Sequence, residues 1–224
     1  MSAPARVGPG RLITFEGGEG AGKSTQIRLL AERLARAGVE TVSTREPGGT
    51  PKAERLRELL LSGRFAARGP LFEAMLFAAA RIDHVDGVIA PALKRGAFVL
   101  CDRFVDSTRA YQGAMGKVDP DMIRLLETVA LAGATPDATF VLDLPPAEGL
   151  ARAARRRGAG ARPDRFEREA SAFHEGLRQA FLRIAAQEKE RCVVIDAAPP
   201  PEEVAKTIWR KMTRRFPLSE ETPA

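Results

Sequence analysis

Phe15-Glu16-Gly17-Gly18-Glu19-Gly20-Ala21-Gly22-Lys23-Ser24 is the stretch around which the rest of the chain is arranged. An apolar run (Leu12, Ile13, Phe15) leads into it, and an amphipathic run (Ile27, Leu29, Leu30, Leu34) leaves it. That order predicts a strand, a glycine-rich turn and a helix. Gly17, Gly22, Lys23 and Ser24 have the spacing of a phosphate-binding P-loop. Glycines let the backbone curl until several N–H groups face one phosphate, and the helix N-terminus adds positive potential. Lys23 can reach the outer phosphates of a nucleotide, and the Ser24 hydroxyl can ligate Mg²⁺. A glycine-rich turn that binds nothing would explain the glycines but not Lys23-Ser24 at this spacing.

The 224 residues are 44% hydrophobic, enough for a sizeable core, and carry a formal charge of +6. The positive balance suits polyanions, nucleotides and nucleic acid alike, and by itself selects neither. Cys101 and Cys192 both sit in apolar runs and read as buried reduced thiols, not as a disulfide. No stretch approaches about 18 consecutive apolar residues, so no membrane span is expected, and a cytoplasmic location follows. Residues 1–10 and 215–224 read as a disordered start and tail around a single domain, 11–214.

Beyond the glycine-rich stretch, strands are expected at 39–44, 97–101, 137–144 and 191–196. Helices are expected at 53–61, 70–93, 107–111, 120–131, 147–155, 164–187 and 202–214, with Pro91 as a kink. Strands alternating with helices predict an α/β fold, a parallel sheet with helices on both faces. No internal repeat and no long linker divides it.

Several groups could carry chemistry. Asp102 ends the apolar run Ala97 to Cys101, where the second acidic site of P-loop enzymes stands; a helix N-cap is the alternative. Arg103 follows it and offers a forked, permanent charge to a phosphate, or else a surface ion pair. Arg152, Arg155, Arg156, Arg157, Arg162 and Arg165 crowd a glycine-containing stretch at about 152–165. Such a run is a solvated face, a nucleic-acid patch or, next to a P-loop, a mobile lid that brings an Arg to the transition state. Phe77 and Arg81 share a helix face, so one could stack on a base while the other donates to a keto oxygen. Phe77 could equally be core. Glu19 is out of place in a phosphate loop unless it faces a sugar hydroxyl of a second substrate. His84 and His174 stand alone and receive no function.

The chain resembles the bacterial thymidylate kinase family. Four blocks carry the resemblance, in order: the glycine-rich stretch, Thr44-Arg45-Glu46-Pro47-Gly48-Gly49-Thr50, Leu76-Phe77-Ala78-Ala79-Ala80-Arg81, and the run from Asp102-Arg103-Phe104 to Tyr111-Gln112-Gly113. The resemblance implies transfer of the ATP γ-phosphoryl group to dTMP with Mg²⁺. It also implies a five-stranded parallel P-loop fold with a mobile Arg-rich lid, and a homodimer. Gly17, Gly18, Glu19, Gly20, Ala21, Gly22, Lys23 and Ser24 would hold ATP. Ser24 and Asp102 would hold Mg²⁺, partly through water. Phe77 would stack on thymine and Arg81 would bond its O4, with Thr108 and Gln112 lining the base pocket and Tyr111 crowding the 2′ position. Glu19 would meet the 3′-hydroxyl. Arg45, Glu46, Arg57 and Arg103 would surround the dTMP phosphate and its metal, and Lys23, Asp102 and Arg103 would act in catalysis.

Two departures from the family pattern stand out: Phe104 replaces a frequent Tyr or His, and the lid is longer in Gly and Arg than usual. Gly20 also stands where some relatives carry a catalytic Arg, which moves that duty to Arg155, Arg157 or Arg165 in the lid. ATP, dTMP and a second copy of the chain are the expected partners, with neither nucleic acid nor membrane among them. A kinase for dUMP, dCMP or UMP and a nucleotide-dependent nucleic-acid-binding switch are the rival readings.

Overall fold

The computed structural model describes residues 8–157 and 165–218. Residues 1–7 of the expected disordered start, 158–164 of the expected lid with Arg162, and 219–224 of the expected tail lie outside these, as does the Arg157 side chain. Five strands run parallel in one sheet: β1 (Arg11–Gly17), β2 (Thr41–Arg45), β3 (Phe98–Asp102), β4 (Ala138–Asp143) and β5 (Cys192–Asp196), in the order β2-β3-β1-β4-β5. The α/β fold read from the sequence is therefore the observed one.

β1 is central and buried along its length, and its side chains alternate between the two faces. Ile13 and Phe15 join one cluster with α1 (Lys23–Arg36) and α9 (Pro201–Arg215), while Leu12 joins a second with Ile89 and Leu93. Phe15 and Phe140 meet with ring centroids 5.5 Å apart, a contact worth about 0.5–1.5 kcal/mol beyond the area it buries. After β1 the chain crosses to the outer strand β2, and after β3 it crosses to β4 on the other side. The connections leaving the C-terminal ends of β1 and β3 thus run to opposite sides and open a crevice, the usual ligand position in an open α/β sheet.

Between the strands lie α2 (Pro51–Leu61), α3 (Pro70–His84), α4 (Ala90–Lys94), α5 (Val105–Thr108), α6 (Pro120–Leu131), α7 (Pro146–Arg157) and α8 (Ser171–Gln187). α3 continues into α4 through a wide π turn, Val85–Ile89. The Pro91 ring would collide with the carbonyl four residues back, at Gly87, and the π turn takes up that mismatch. α5 likewise passes into a π-helical segment, Arg109–Met115, so the helix expected at 107–111 runs on to Met115.

Two further boundaries differ from expectation. The helix expected from 164 begins only at Ser171. Before it, Phe166 turns in to meet the Tyr111 ring edge-on at 5.0 Å and Arg165 pairs with Glu73, contacts that a continuous helix would forgo. Phe216, assigned to the tail, is buried against Phe98. Both cysteines are buried and unbridged. Among the described residues no helix is long and apolar enough to cross a membrane.

Candidate active site

In the sheet register Asp102 lies between Phe15 of β1 and Arg45 of β2, so three chemically loaded strand ends share one edge. A cleft of about 250 Å³ opens above them. The glycine-rich loop forms one wall. Gly22 adopts a left-handed backbone (φ 92°) at the start of α1, a conformation that costs a residue without Cβ little. Lys23 is buried there, its Nζ donating to the carbonyls of Gly17 (3.2 Å) and Gly18 (2.9 Å). Burial and the neighbouring Arg103 lower the Lys23 ammonium from its ordinary range. Ser24 Oγ donates to Asp102 Oδ2 over 2.6 Å, joining loop to β3.

Arg103 has a left-handed backbone (φ 66°), uncommon for a residue with a side chain. β1 holds this turn in place: Arg103 N–H donates to the Phe15 carbonyl (2.9 Å) and Phe104 N–H to Glu16 Oε1 (2.7 Å). The guanidinium then crosses the cleft to Glu19, donates to the Gly17 carbonyl (3.3 Å) and lies over the Tyr111 ring. Burial pushes the Glu19 carboxyl up, but Arg103, Lys23 and Arg156 together outweigh burial and hold it below the usual range. The misplaced carboxylate of the loop is therefore neutralised by three cations.

The opposite wall comes from α2, α3 and the segment 105–115. Phe77 and Arg81 of α3 line the cleft together, as their spacing requires; Phe77 is half-buried and so not a core residue. Arg81 is 3% exposed and committed: Nε donates to Glu46 Oε2 (2.7 Å), Nη2 to the Phe104 carbonyl (3.2 Å) and to Thr108 Oγ1 (3.1 Å). Thr108, Tyr111 and Gln112 complete this end. Arg45 and Arg57 line the cleft between the two walls, Arg45 paired with Glu54 and Arg57 donating to the Pro47 carbonyl. Burial and the charge of Arg45 lower the Arg57 guanidinium from its ordinary value.

Some expected residues are not brought to the cleft surface. Gly17, Gly18 and Ala21 lie behind it, shaping the loop. Glu46, expected beside a phosphate and metal, lines the cleft but gives its carboxylate to Arg81 and His84. Arg165 is held by Glu73 and stacks on Phe166, and Arg155 is exposed away from the lining. Among the described arginines of the basic run, Arg156 is the one that lines the cleft. α7 runs two residues further than expected, to Arg157, so Arg156 is helical and lies seven residues, about two turns, beyond Gly149. Gly149 touches the glycine-rich loop: a Cβ there would fall 2.2 Å from the Glu19 carbonyl, and one on Gly20 would fall 1.9 Å from the Gly149 carbonyl.

Two buried groups were also missed. His84 is fully buried between Glu46 and Thr44. Glu16 is fully buried in β1 and accepts from Phe104 N–H, Ser107 N–H and Ser107 Oγ. Burial, reinforced by Asp106, raises its carboxyl to about 7. Its signal in the sequence was a charged residue inside a run otherwise read as buried strand.

Among the described residues no group of three or more His, Cys, Asp or Glu is placed to hold a metal. Ser24 and Asp102 still suit Mg²⁺, which takes one or two protein oxygens and completes its shell with water and substrate phosphate. The cleft thus joins the glycine-rich loop, a metal-suited oxygen pair, several arginines and the Phe77–Arg81 face.

A sequence profile described as thymidylate kinase matches residues 15–208. A thymidylate kinase of Rhodopseudomonas palustris is 59% identical over 208 residues, covering 92% of this chain and 90% of its own. One of Bradyrhizobium diazoefficiens is 57% identical over 209 residues, covering 93% and 91%. A crystal structure of thymidylate kinase from Ehrlichia chaffeensis superposes with a TM-score of 0.72 at 34% identity, over 91% of this chain and 100% of its own.

Proposed function

The chain belongs to the thymidylate kinase family, and on that premise we propose how its cleft divides the work. The enzyme phosphorylates dTMP to dTDP with ATP as phosphoryl donor. One observation carries the assignment of parts: Arg103 joins the glycine-rich loop, through Gly17 and Glu19, to the Tyr111 ring on the opposite wall of the cleft.

ATP phosphates lie in the glycine-rich loop, with Lys23 on the outer ones. Thymine stacks on Phe77 and receives a hydrogen bond at O4 from Arg81, with Thr108 and Gln112 beside it. Tyr111 crowds the 2′ position and Glu19 faces the 3′-hydroxyl. Arg45, Arg57 and Arg103 hold the dTMP phosphate. The attacking oxygen is already anionic at neutral pH, so these residues need supply no strong base. They align the two phosphates and stabilise charge spread over the transferred group. Arg156, at the cleft end of α7, is the lid arginine assigned to that charge. Ser24 and Asp102 would hold Mg²⁺, which neutralises charge on the phosphates when bound.

Arg81 is a donor, which suits the keto O4 of thymine or uracil and not the amino group of cytosine. That favours dTMP or dUMP over dCMP within the site. A homodimer is supported by an apolar face on α3 and α6: Leu71, Met75 and Ile82 beside Met122, Leu125 and Val129, all exposed. A cytoplasmic enzyme acting on ATP and dTMP, without nucleic acid or membrane, accords with these features. The test is ADP release with dTMP, dUMP, dCMP and dGMP offered in parallel, with Mg²⁺ present and chelated. Turnover that does not depend on the monophosphate, together with salt-sensitive nucleic-acid binding, would favour the switch reading.

A further inference from the structure

His84 stands at the end of α3, one turn beyond Arg81 on the same helix face, with no exposed surface. Its Nδ1 is 3.1 Å from Glu46 Oε1, and its Nε2 is 2.7 Å from Thr44 Oγ1. An ionised carboxylate only accepts, so Nδ1 carries the proton that faces Glu46. The other oxygen of Glu46 accepts from Arg81 Nε. Glu46 therefore serves two donors, one oxygen each. The site is closely packed: a Cβ on Gly49 would fall 2.4 Å from His84 Cδ2 and 2.8 Å from Thr44 Oγ1. The Gly49 backbone thus lies against the Cδ2–Nε2 edge of the imidazole.

We propose that His84 is a positioning residue for pyrimidine selection, holding Glu46 in a one-oxygen grip on Arg81 so that the guanidinium stays set for the base. The inference rests on the reading that Arg81 meets the base. Its physical basis is the competing geometry. A guanidinium and a carboxylate prefer the two-bond fork. Without the His84 donor, Glu46 Oε1 would be buried without a partner, and the carboxylate would rotate to take Arg81 through both Nε and Nη2. Nη2 would then leave Thr108 Oγ1 and the Phe104 carbonyl, which now set the plane of the guanidinium. Thr44 keeps the imidazole from following. The His84 contact thus forces a buried Arg–Glu pair into the less favoured arrangement, and the discarded fork is what would misplace the base-facing edge.

Three variants and one control test this. His84→Leu keeps bulk and removes both nitrogens. His84→Asn can return an amide N–H near the Nδ1 position, and His84→Gln near the Nε2 position only. Losing a hydrogen bond to a charged group corresponds to about tenfold or more, so KM for dTMP should rise by that factor in His84→Leu while kcat changes by less than about threefold. The preference for dTMP over dCMP in kcat/KM should fall in step. His84→Asn should stand near the wild type and His84→Gln near His84→Leu. If His84→Leu does not fold, the Asn and Gln variants decide alone. Wild-type KM and base preference in a folded His84→Leu or His84→Gln would overturn the proposal, as would an Asn variant no better than Gln. Arg81→Lys separates the premise from the inference. If it leaves KM for dTMP unchanged, the placement of the base fails. If it raises KM while the His84 variants do not, only the role of His84 fails.

Discussion

Arg103 Nη2 donates to Glu19 Oε1, tying the end of β3 to the tip of the glycine-rich loop across 84 positions of sequence. The pair brings the arginine proposed for the acceptor phosphate against the loop proposed for ATP, and it gives the Glu19 carboxylate a partner. Glu19 is 17% and Arg103 18% exposed, so the link is formed largely out of water, where charge attraction is weakly screened.

Phe77→Ala should raise KM for dTMP about tenfold, the scale of one aromatic–base stacking contact, with KM for ATP unchanged. Steady-state kinetics with each substrate varied checks it. An unchanged KM for dTMP would return Phe77 to a packing role.

Gly149→Ala should push α7 off the glycine-rich loop, because the new methyl would meet the Glu19 carbonyl at 2.2 Å. Overpacking of this kind costs about 1–3 kcal/mol, which lowers Tm by roughly 2–12 °C in a chain of this size. kcat should fall with it, since Arg156 lies on the displaced helix. Arg156→Ala, at an exposed position, should lower kcat by about 10²-fold or more and leave Tm unchanged. Differential scanning calorimetry and kcat on both variants separate the two effects.

Glu16 makes stability depend on pH. Its carboxyl rises from 4.5 to about 7 on folding, so the folded chain binds the extra proton within that window. The contribution is present below pH 4.5 and is lost as pH rises through 7, a change of about 3 kcal/mol. Glu16→Gln has no such proton. The stability of the wild type relative to Glu16→Gln should therefore decrease between pH 5 and pH 8, as measured by urea unfolding at fixed ionic strength. A constant difference would mean that Glu16 is ionised throughout.

Leu125→Glu, at the centre of the apolar face on α6, should convert a dimer to monomers in sedimentation velocity. A wild type that sediments as a monomer would remove the homodimer from the account.

How much of this was legible in sequence follows from distance along the chain. The strand, loop and helix at 11–36 are local, and so is the shared face of Phe77 and Arg81; period and spacing suffice for both. Glu46 and His84 are 38 positions apart, and only the fold makes them partners. His84 in an apolar helix gives no sign of this, because a buried polar group is defined by a partner that periodicity does not reveal. Arg156 was hidden differently. Six arginines crowd the lid region, and which of them faces the cleft depends on where α7 ends and on its contact with the loop through Gly149. The start of α8 is not legible in the sequence because Phe166 and Arg165 follow tertiary contacts with Tyr111 and Glu73 over local helical preference.

The central claim is that Arg103 holds the acceptor phosphate against the group transferred from ATP. The most direct test is dTDP formation by wild type and Arg103→Ala at saturating ATP, dTMP and Mg²⁺, with ATP affinity measured alongside. The account predicts one dTDP per ADP in the wild type, and a fall in kcat of about 10²-fold or more in Arg103→Ala with little change in ATP binding. Turnover of Arg103→Ala at the wild-type rate would contradict it.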